Sequence, residues 1–177
     1  MSRPEVLREA ALVLGWFVVL GIVGGLLWWQ VTPLAEWTRT AKSASMDELN
    51  LGITVAADGW FFVIGGVAGL VSGFVLAAWR RRDPVVTVLL LAVGSALGSA
   101  LMHLVGHALG PGPLQQSLAR AAVGQQVPVP LQVDAPGVYL VWPVATLLTA
   151  LAVLWGTSDD TVRVESGEDV PDRASAG

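Results

Sequence analysis

Two histidines and one aspartate are the residues whose types and spacing best suit metal chemistry. His103 and His107 are four positions apart, which places both imidazoles on one face of a helix. Asp58 stands at the start of another long apolar segment. Two imidazoles and a carboxylate are a familiar zinc ligand set. The sequence therefore offers His103, His107 and Asp58 as a candidate metal or proton-relay site.

A simpler interpretation of these three residues competes with the metal site, and we favour it. The H-x-x-x-H spacing lacks the adjacent glutamate of the H-E-x-x-H motif, so the histidines are explained as interfacial polar groups, hydrogen-bonded across helices or to water. Asp58 is explained as a cap for the free N–H groups at the start of its own helix.

Other catalytic chemistry finds little support in the sequence. The absence of cysteine excludes disulfides, thiolate metal sites and cysteine nucleophiles. The sequence contains no G-x-S-x-G elbow, no Walker A loop and no G-x-G-x-x-G after a strand. The net charge of -4 disfavours nucleic acid as a partner. We predict no catalytic residue, no cofactor and no enzyme activity.

The elements that must position these residues are long and apolar. Of the 177 residues, 54% are apolar and 14% charged, whereas soluble domains carry about a quarter charged residues. Four uncharged segments each reach the roughly 20 residues that a helix needs to cross a bilayer. The period-2 polarity of barrel strands is missing. We predict an all-α membrane protein with a bundle of four transmembrane helices, at about 10–31, 59–79, 85–109 and 138–156.

The first segment could instead be a cleavable signal peptide. Signal peptides have apolar cores of 7–15 residues, whereas this segment is longer and ends in Trp28 and Trp29 rather than in small residues. We favour a retained helix.

Basic residues predict the orientation of the chain in the membrane, because cytoplasmic loops carry an excess of Lys and Arg. Seven of the ten basic residues flank one side of the predicted helices: Arg3, Arg8, Arg80, Arg81, Arg82, Arg163 and Arg173. We therefore predict a multi-pass protein of the cell membrane with both termini in the cytoplasm and with outer loops at 32–58 and 110–137. Tryptophan favours membrane interfaces. We expect outer-interface tryptophans at Trp28, Trp29, Trp60 and Trp142, and inner ones at Trp79 and Trp155.

Glycines at four-residue spacing are the strongest pattern in the predicted helices. Such spacing places them on one helix face, where small residues let backbones approach closely within a bilayer. The same stripes suit internal packing or an oligomer interface, and we favour internal packing because several helices carry them. The residues are Gly21, Gly25, Gly65, Gly69, Gly73, Gly94 and Gly98.

The loops and tails carry weaker patterns. Apolar residues alternate in Leu49–Val55 and Val127–Val133, which predicts two extended segments that pair as a two-stranded ribbon. The spacing in Leu114–Val123 fits a short amphipathic helix. Residues 1–9 are predicted as an N-terminal cytoplasmic tail, and residues 157–177, with six acids and two arginines, as a disordered acidic one.

Several short motifs carry a resemblance to a known family. They are Ala57–Phe62, a glycine-rich helix ending in Trp79–Arg82, Val105–His107 followed by Gly110–Pro113, and Val141–Pro143. Over about residues 10–156 the chain resembles a family of small actinobacterial membrane proteins known as a domain of unknown function. The resemblance implies four helices and residence in a membrane, and it supplies no activity or catalytic residues.

These observations predict an integral membrane protein that acts as a non-enzymatic accessory or scaffold subunit. Its partners would be the lipid bilayer together with another membrane protein or a second copy of the chain. Two alternatives stay open, a small transporter or channel and a metal-dependent membrane enzyme that uses His103, His107 and Asp58. The transporter is disfavoured because the first, second and fourth apolar segments lack the ionisable residue that transport paths usually hold.

Overall fold

Long helices dominate the computed structural model, which describes residues 3–40, 44–45, 53, 55–79 and 84–165. Four of these helices contain segments long and apolar enough to cross a membrane, which confirms the predicted fold class. A fifth, short helix lies within the predicted helical segment Leu114–Val123. The helices are α1 (Arg3–Val31), α2 (Ala56–Trp79), α3 (Pro84–Leu109), α4 (Leu114–Arg120) and α5 (Val141–Glu165).

The first and last helices, α1 and α5, extend beyond their predicted ends. Helix α1 begins at Arg3, so most of the predicted tail 1–9 is helical. Pro4 suits a first helical turn, where its missing N–H costs nothing. Helix α5 continues to Glu165, nine residues past the predicted end of the fourth helix and into the segment 157–177 that was predicted as a disordered tail. Gly156 does not end the helix, and the next glycine and proline, Gly167 and Pro171, come only after Glu165; residues 166–177 lie outside the described part of the chain.

The helices pack as two parallel pairs. Along α1 and α3, Gly21 lies against Gly98, and four residues further on, Gly25 lies against Met102. Contacts between α2 and α5 advance in the same way, from Gly69 against Ala145 to Gly73 against Thr149. Helices that follow one another in the sequence therefore approach each other less closely than the two pairs, α1 with α3 and α2 with α5.

Large side chains fill the space between the two pairs. Phe17, Trp28, Phe61, Met102 and Trp142 form most of this core, and each is at most 1% exposed. Other large apolar side chains of the helices point away from the bundle, as a surrounding of hydrocarbon requires. Examples are Phe74, Leu89, Leu104 and Leu148.

The tryptophans divide into two groups. Trp60 and Trp79, at the two ends of α2, are 41% and 68% exposed. They are nineteen positions apart along the helix, a rise of about 28 Å, close to the roughly 30 Å of a bilayer core. Trp28 and Trp142 are fully buried against neighbouring helices, unlike Trp60 and Trp79. Both indoles pack on glycines of α3, Trp28 on Gly106 and Trp142 on Gly98.

A small sheet lies at the end of the bundle where α1 and α3 finish. It contains β1 (Glu36–Arg39), β2 (Ala44–Ser45) and β3 (Gln126–Pro128), antiparallel and in the order β2-β1-β3. We call residues 32–40, 44–45 and 110–140 the cap, and the end that carries it the capped end.

The strand pairing differs from the predicted ribbon. The segment Val127–Val133 contributes β3, which pairs with β1, with Trp37 opposite Val127. Within Leu49–Val55, Ile53 is helical and Val55 lies in a turn, while the remaining residues are outside the described part of the chain. Strand β1 has the sequence Glu-Trp-Thr-Arg, which lacks the alternation of apolar residues that predicts a strand.

Proline positions explain why β3 forms an edge of the sheet. Val129 donates its backbone N–H to the Ala35 carbonyl at 2.8 Å. Because successive residues of a strand face opposite neighbours, Pro128 and Pro130 turn their missing N–H away from β1. No further strand can then bond fully along that edge.

Candidate functional site

The two histidines lie side by side in the last turns of α3, at the capped end. Their ring centroids are 5.6 Å apart, and the ring planes differ by 12°. His107 is exposed, and its Nδ1 lies 2.8 Å from the backbone carbonyl oxygen of Leu131. A carbonyl oxygen only accepts, so Nδ1 carries the proton and, in the neutral ring, Nε2 keeps its lone pair.

His103 lies one turn deeper, within a group of aromatic rings. Its ring centroid is 5.4 Å from that of Tyr139 in an edge arrangement and 6.0 Å from that of Trp28. Phe61 contacts both of these neighbours. Among the described residues, Nδ1 of His103 has no hydrogen-bond partner although the atom is buried. A buried ring nitrogen without a partner is costly, and it marks His103 as the least satisfied polar group of this cluster.

Asp58 holds the cap to helix α2. Its two carboxylate oxygens accept the backbone N–H groups of Asp134 and Ala135, at 3.0 and 3.1 Å. These amides stand directly before a 3-10 helix, Pro136–Leu140, that leads into α5. The structure therefore corrects the expectation that Asp58 caps its own helix, because the carboxylate bonds the approach to α5 instead.

The predicted set of three metal ligands is not assembled. In the parts of the chain that the structure describes, no group of three His, Asp or Glu side chains is arranged to hold a metal ion. His103 and His107 are adjacent, whereas both oxygens of Asp58 are engaged by backbone amides. Any site here has two imidazoles as its protein donors.

Further side-chain hydrogen bonds tie the helix pairs to each other and to the cap. Trp28 donates its indole N–H to the carbonyl of Ala57 at 2.8 Å, which joins α1 to the start of α2. Ser99 donates to the carbonyl of Tyr139 at 3.0 Å, which joins α3 to the 3-10 helix. Deeper in the bundle, the Trp16 indole N–H donates to Ser72 at 3.1 Å. The Arg39 guanidinium donates to the carbonyl of Leu118 near the end of α4.

The predicted packing glycines occupy both close helix contacts. A Cβ added to Gly21 would lie 2.8 Å from the Gly98 carbonyl oxygen, and one added to Gly25 2.7 Å from that of Met102. A Cβ on Gly69 would meet the Ala145 Cβ at 2.8 Å, and one on Gly73 would overlap the Thr146 carbonyl. These distances are shorter than real Cβ contacts, so only glycine allows such approach.

The other stripe glycines differ in how tightly they are packed. A Cβ on Gly94 would overlap the Phe17 ring, whereas one on Gly65 would make an ordinary contact of 3.7 Å with Trp142. Gly98 is intermediate, with the Trp142 ring at 3.3 Å. Gly106 was missed by the sequence analysis although its Cβ would overlap Trp28. It continues the stripe of Gly94 and Gly98 after a gap at Met102, a spacing that could have revealed it.

Comparison with protein-family models, with curated proteins and with solved structures finds no match to this chain. The resemblance to the actinobacterial family therefore stays a prediction.

Proposed function

We propose that the chain is a multi-pass protein of the cell membrane with both termini in the cytoplasm and the cap outside. The four apolar helices fit a membrane, and the seven-to-three distribution of basic residues supports this orientation. The chain has no cysteine, so single cysteines are clean probes. A membrane-impermeant maleimide should label a Gln125→Cys variant in intact cells and an Ala176→Cys variant only after lysis. The reverse pattern would contradict the orientation.

We further propose that the protein is a non-enzymatic accessory or scaffold subunit that binds a membrane-protein partner through its cap. The observation that carries this proposal is the fastening of the cap. The carboxylate of Asp58 accepts two backbone N–H groups of the cap, and the ring N–H of His107 donates to the carbonyl of Leu131. Ordering a loop costs conformational entropy, and bonds from two different helices offset that cost. A surface ordered in this way is prepared to bind with little further loss of entropy.

The filled interior supports a scaffold over a transporter. Fully buried Trp28, Phe61, Met102 and Trp142 occupy the space between the helix pairs. In the described part of the chain, the buried polar residues are all serine or threonine, and none is charged. Transport paths usually contain ionisable groups within the membrane.

The glycine stripes serve packing within the chain. Gly21, Gly25, Gly69 and Gly73 are in contact with neighbouring helices of the same chain, so these stripes are not free for a partner. Exposed polar side chains of the cap, such as Gln116 and Gln125, remain accessible. We therefore place the partner contact on the cap rather than on the stripes.

Purification in a mild detergent tests the proposed role. The full-length chain, extracted from its native membrane, should elute with one other membrane protein at a fixed ratio. An Asp58→Ala variant should lose that partner while keeping its helical content, because its cap is released from α2. A matched Gly15→Ala variant, altered at an open position of α1, should keep the partner.

Two outcomes would contradict the scaffold proposal. The first is a chain that elutes alone from every mild detergent tested. The second is flux of ions or solutes through liposomes that contain only this chain, which would support the transporter alternative.

A further inference from the structure

We propose that His103 and His107 form a two-histidine site for a late first-row divalent metal ion, with Zn²⁺ as the ion that the geometry fits best. The site lies at the capped end, where exposed His107 is in reach of water. It does not require the scaffold role, and Asp58 is not one of its ligands because both carboxylate oxygens accept backbone amides. Imidazole nitrogen is a donor that suits Zn²⁺, Cu²⁺ and Ni²⁺ and not Mg²⁺ or Ca²⁺.

The separation of the rings is the first argument. A metal-bound imidazole nitrogen lies about 2.1 Å from the ion and about 1.1 Å from its ring centroid, so the ion lies about 3.2 Å from the centroid. Two such rings have centroids about 5.2 Å apart at a tetrahedral angle and about 4.5 Å apart at a right angle. The observed 5.6 Å is nearer the tetrahedral value, which favours Zn²⁺ over square-planar Cu²⁺.

The orientation of His107 is the second argument. Metal-binding histidines usually donate their other ring N–H to a carboxylate or a backbone carbonyl, which fixes the ring and its tautomer. His107 has this arrangement, with Nδ1 2.8 Å from the Leu131 carbonyl oxygen. Its Nε2 lone pair is therefore the one available to an ion. The carbonyl belongs to the cap, so the fold of the cap sets the direction of this donor.

The surroundings of His103 identify its donor atom. Its Nδ1 is buried, which leaves Nε2 for the ion. The two ring planes are within 12° of parallel. When His107 holds an ion, the His103 ring turns about χ2 until its Nε2 points at that ion. This torsion is broad in histidine. Water or an incoming ligand completes the coordination, since the described residues supply no third His, Asp or Glu.

Zinc titration by calorimetry tests the site. The full-length chain, carrying a tag without histidine, is titrated with Zn²⁺ in detergent. We expect one ion per chain, with at least a tenfold loss of affinity in His103→Ala and in His107→Ala. A Gly15→Ala variant, altered at an open position of α1, should bind within threefold of the unaltered chain. Zinc affinity that is unchanged in the double His103→Ala, His107→Ala variant would overturn the proposal, as would no binding to the unaltered chain at millimolar Zn²⁺.

A second measurement does not depend on the variants folding. The chain contains only two histidines and no cysteine, so any imidazole bound to a metal belongs to this pair. X-ray absorption at the zinc edge of the unaltered chain with one equivalent of Zn²⁺ counts the bound imidazoles from the multiple scattering of their rings. Signals from two imidazoles are expected. Signals from one imidazole or none would overturn the two-histidine site.

Discussion

Replacement of Gly25 by alanine should separate α1 from α3 and destabilise the bundle. The added Cβ would lie 2.7 Å from both the Met102 carbonyl oxygen and the Val105 Cβ, whereas ordinary contacts are 3.4–4 Å. The helix backbones must then move apart by several tenths of an ångström or more. Overpacking of this kind costs about 1–3 kcal/mol.

Gly15 provides a matched control within the same helix. A Cβ added there meets nothing within 4 Å. Both glycines lie in the interior of α1, so both variants gain the same intrinsic helix propensity of alanine, up to about 1 kcal/mol in water. The difference between the two variants therefore isolates the clash, and we expect Gly25→Ala to be the less stable by about 1–3 kcal/mol.

Unfolding of both variants in mixed micelles, followed by circular dichroism, measures this difference. Gly15→Ala should unfold at the same denaturant fraction as the unaltered chain or at a higher one. Equal unfolding midpoints for Gly25→Ala and Gly15→Ala would refute the close packing of α1 on α3.

Three further predictions concern hydrogen bonds. Trp28→Phe should destabilise the chain by about 1 kcal/mol more than Trp142→Phe in the same unfolding assay. The Trp28 variant loses the hydrogen bond from the indole N–H to the Ala57 carbonyl, whereas the Trp142 variant loses a buried N–H that has no partner among the described residues. Asp58→Ala should speed amide hydrogen exchange in the segment before the 3-10 helix, measured by mass spectrometry, and unchanged exchange there would contradict the fastening of the cap. Ser72→Ala should cost about 1–3 kcal/mol in the unfolding assay because it leaves an indole N–H without its acceptor, and Ser72→Thr should retain most of the stability.

The four helices were predictable because apolar length and the position of charges decide them. The ends were less predictable, since α5 runs on through Gly156, Asp159 and Asp160 to Glu165. A helix that leaves the membrane has no physical reason to stop at the interface, and a single glycine costs a helix only about 1 kcal/mol relative to alanine. Length alone therefore located the spans but not the helix termini.

The pairing of the helices could not be predicted from the glycine stripes. Spacing shows that Gly21 and Gly25 share a face, but it does not show which helix that face meets. The connections at the capped end are long, so they permit neighbours that are not consecutive in sequence. Only the fit of particular groups, such as Gly106 under Trp28, selects α3 as the partner of α1.

The candidate site was partly predictable for a related reason. Helical spacing placed His103 beside His107 without any tertiary information. The role of Asp58 depends on amides 76 and 77 residues away, and no local pattern links them. Leu131 acts through its backbone carbonyl, a group that the residue type does not identify.

Photo-crosslinking in living cells tests the central claim, that the cap binds a membrane-protein partner. A photoreactive amino acid is placed at Gln116 or Gln125 on the exposed surface of the cap, and at Leu104 on the exposed face of α3 as the control. The account predicts one crosslinked protein of the same mass from both cap positions and none from Leu104. Crosslinks from Leu104 alone, or none from either cap position, would contradict it.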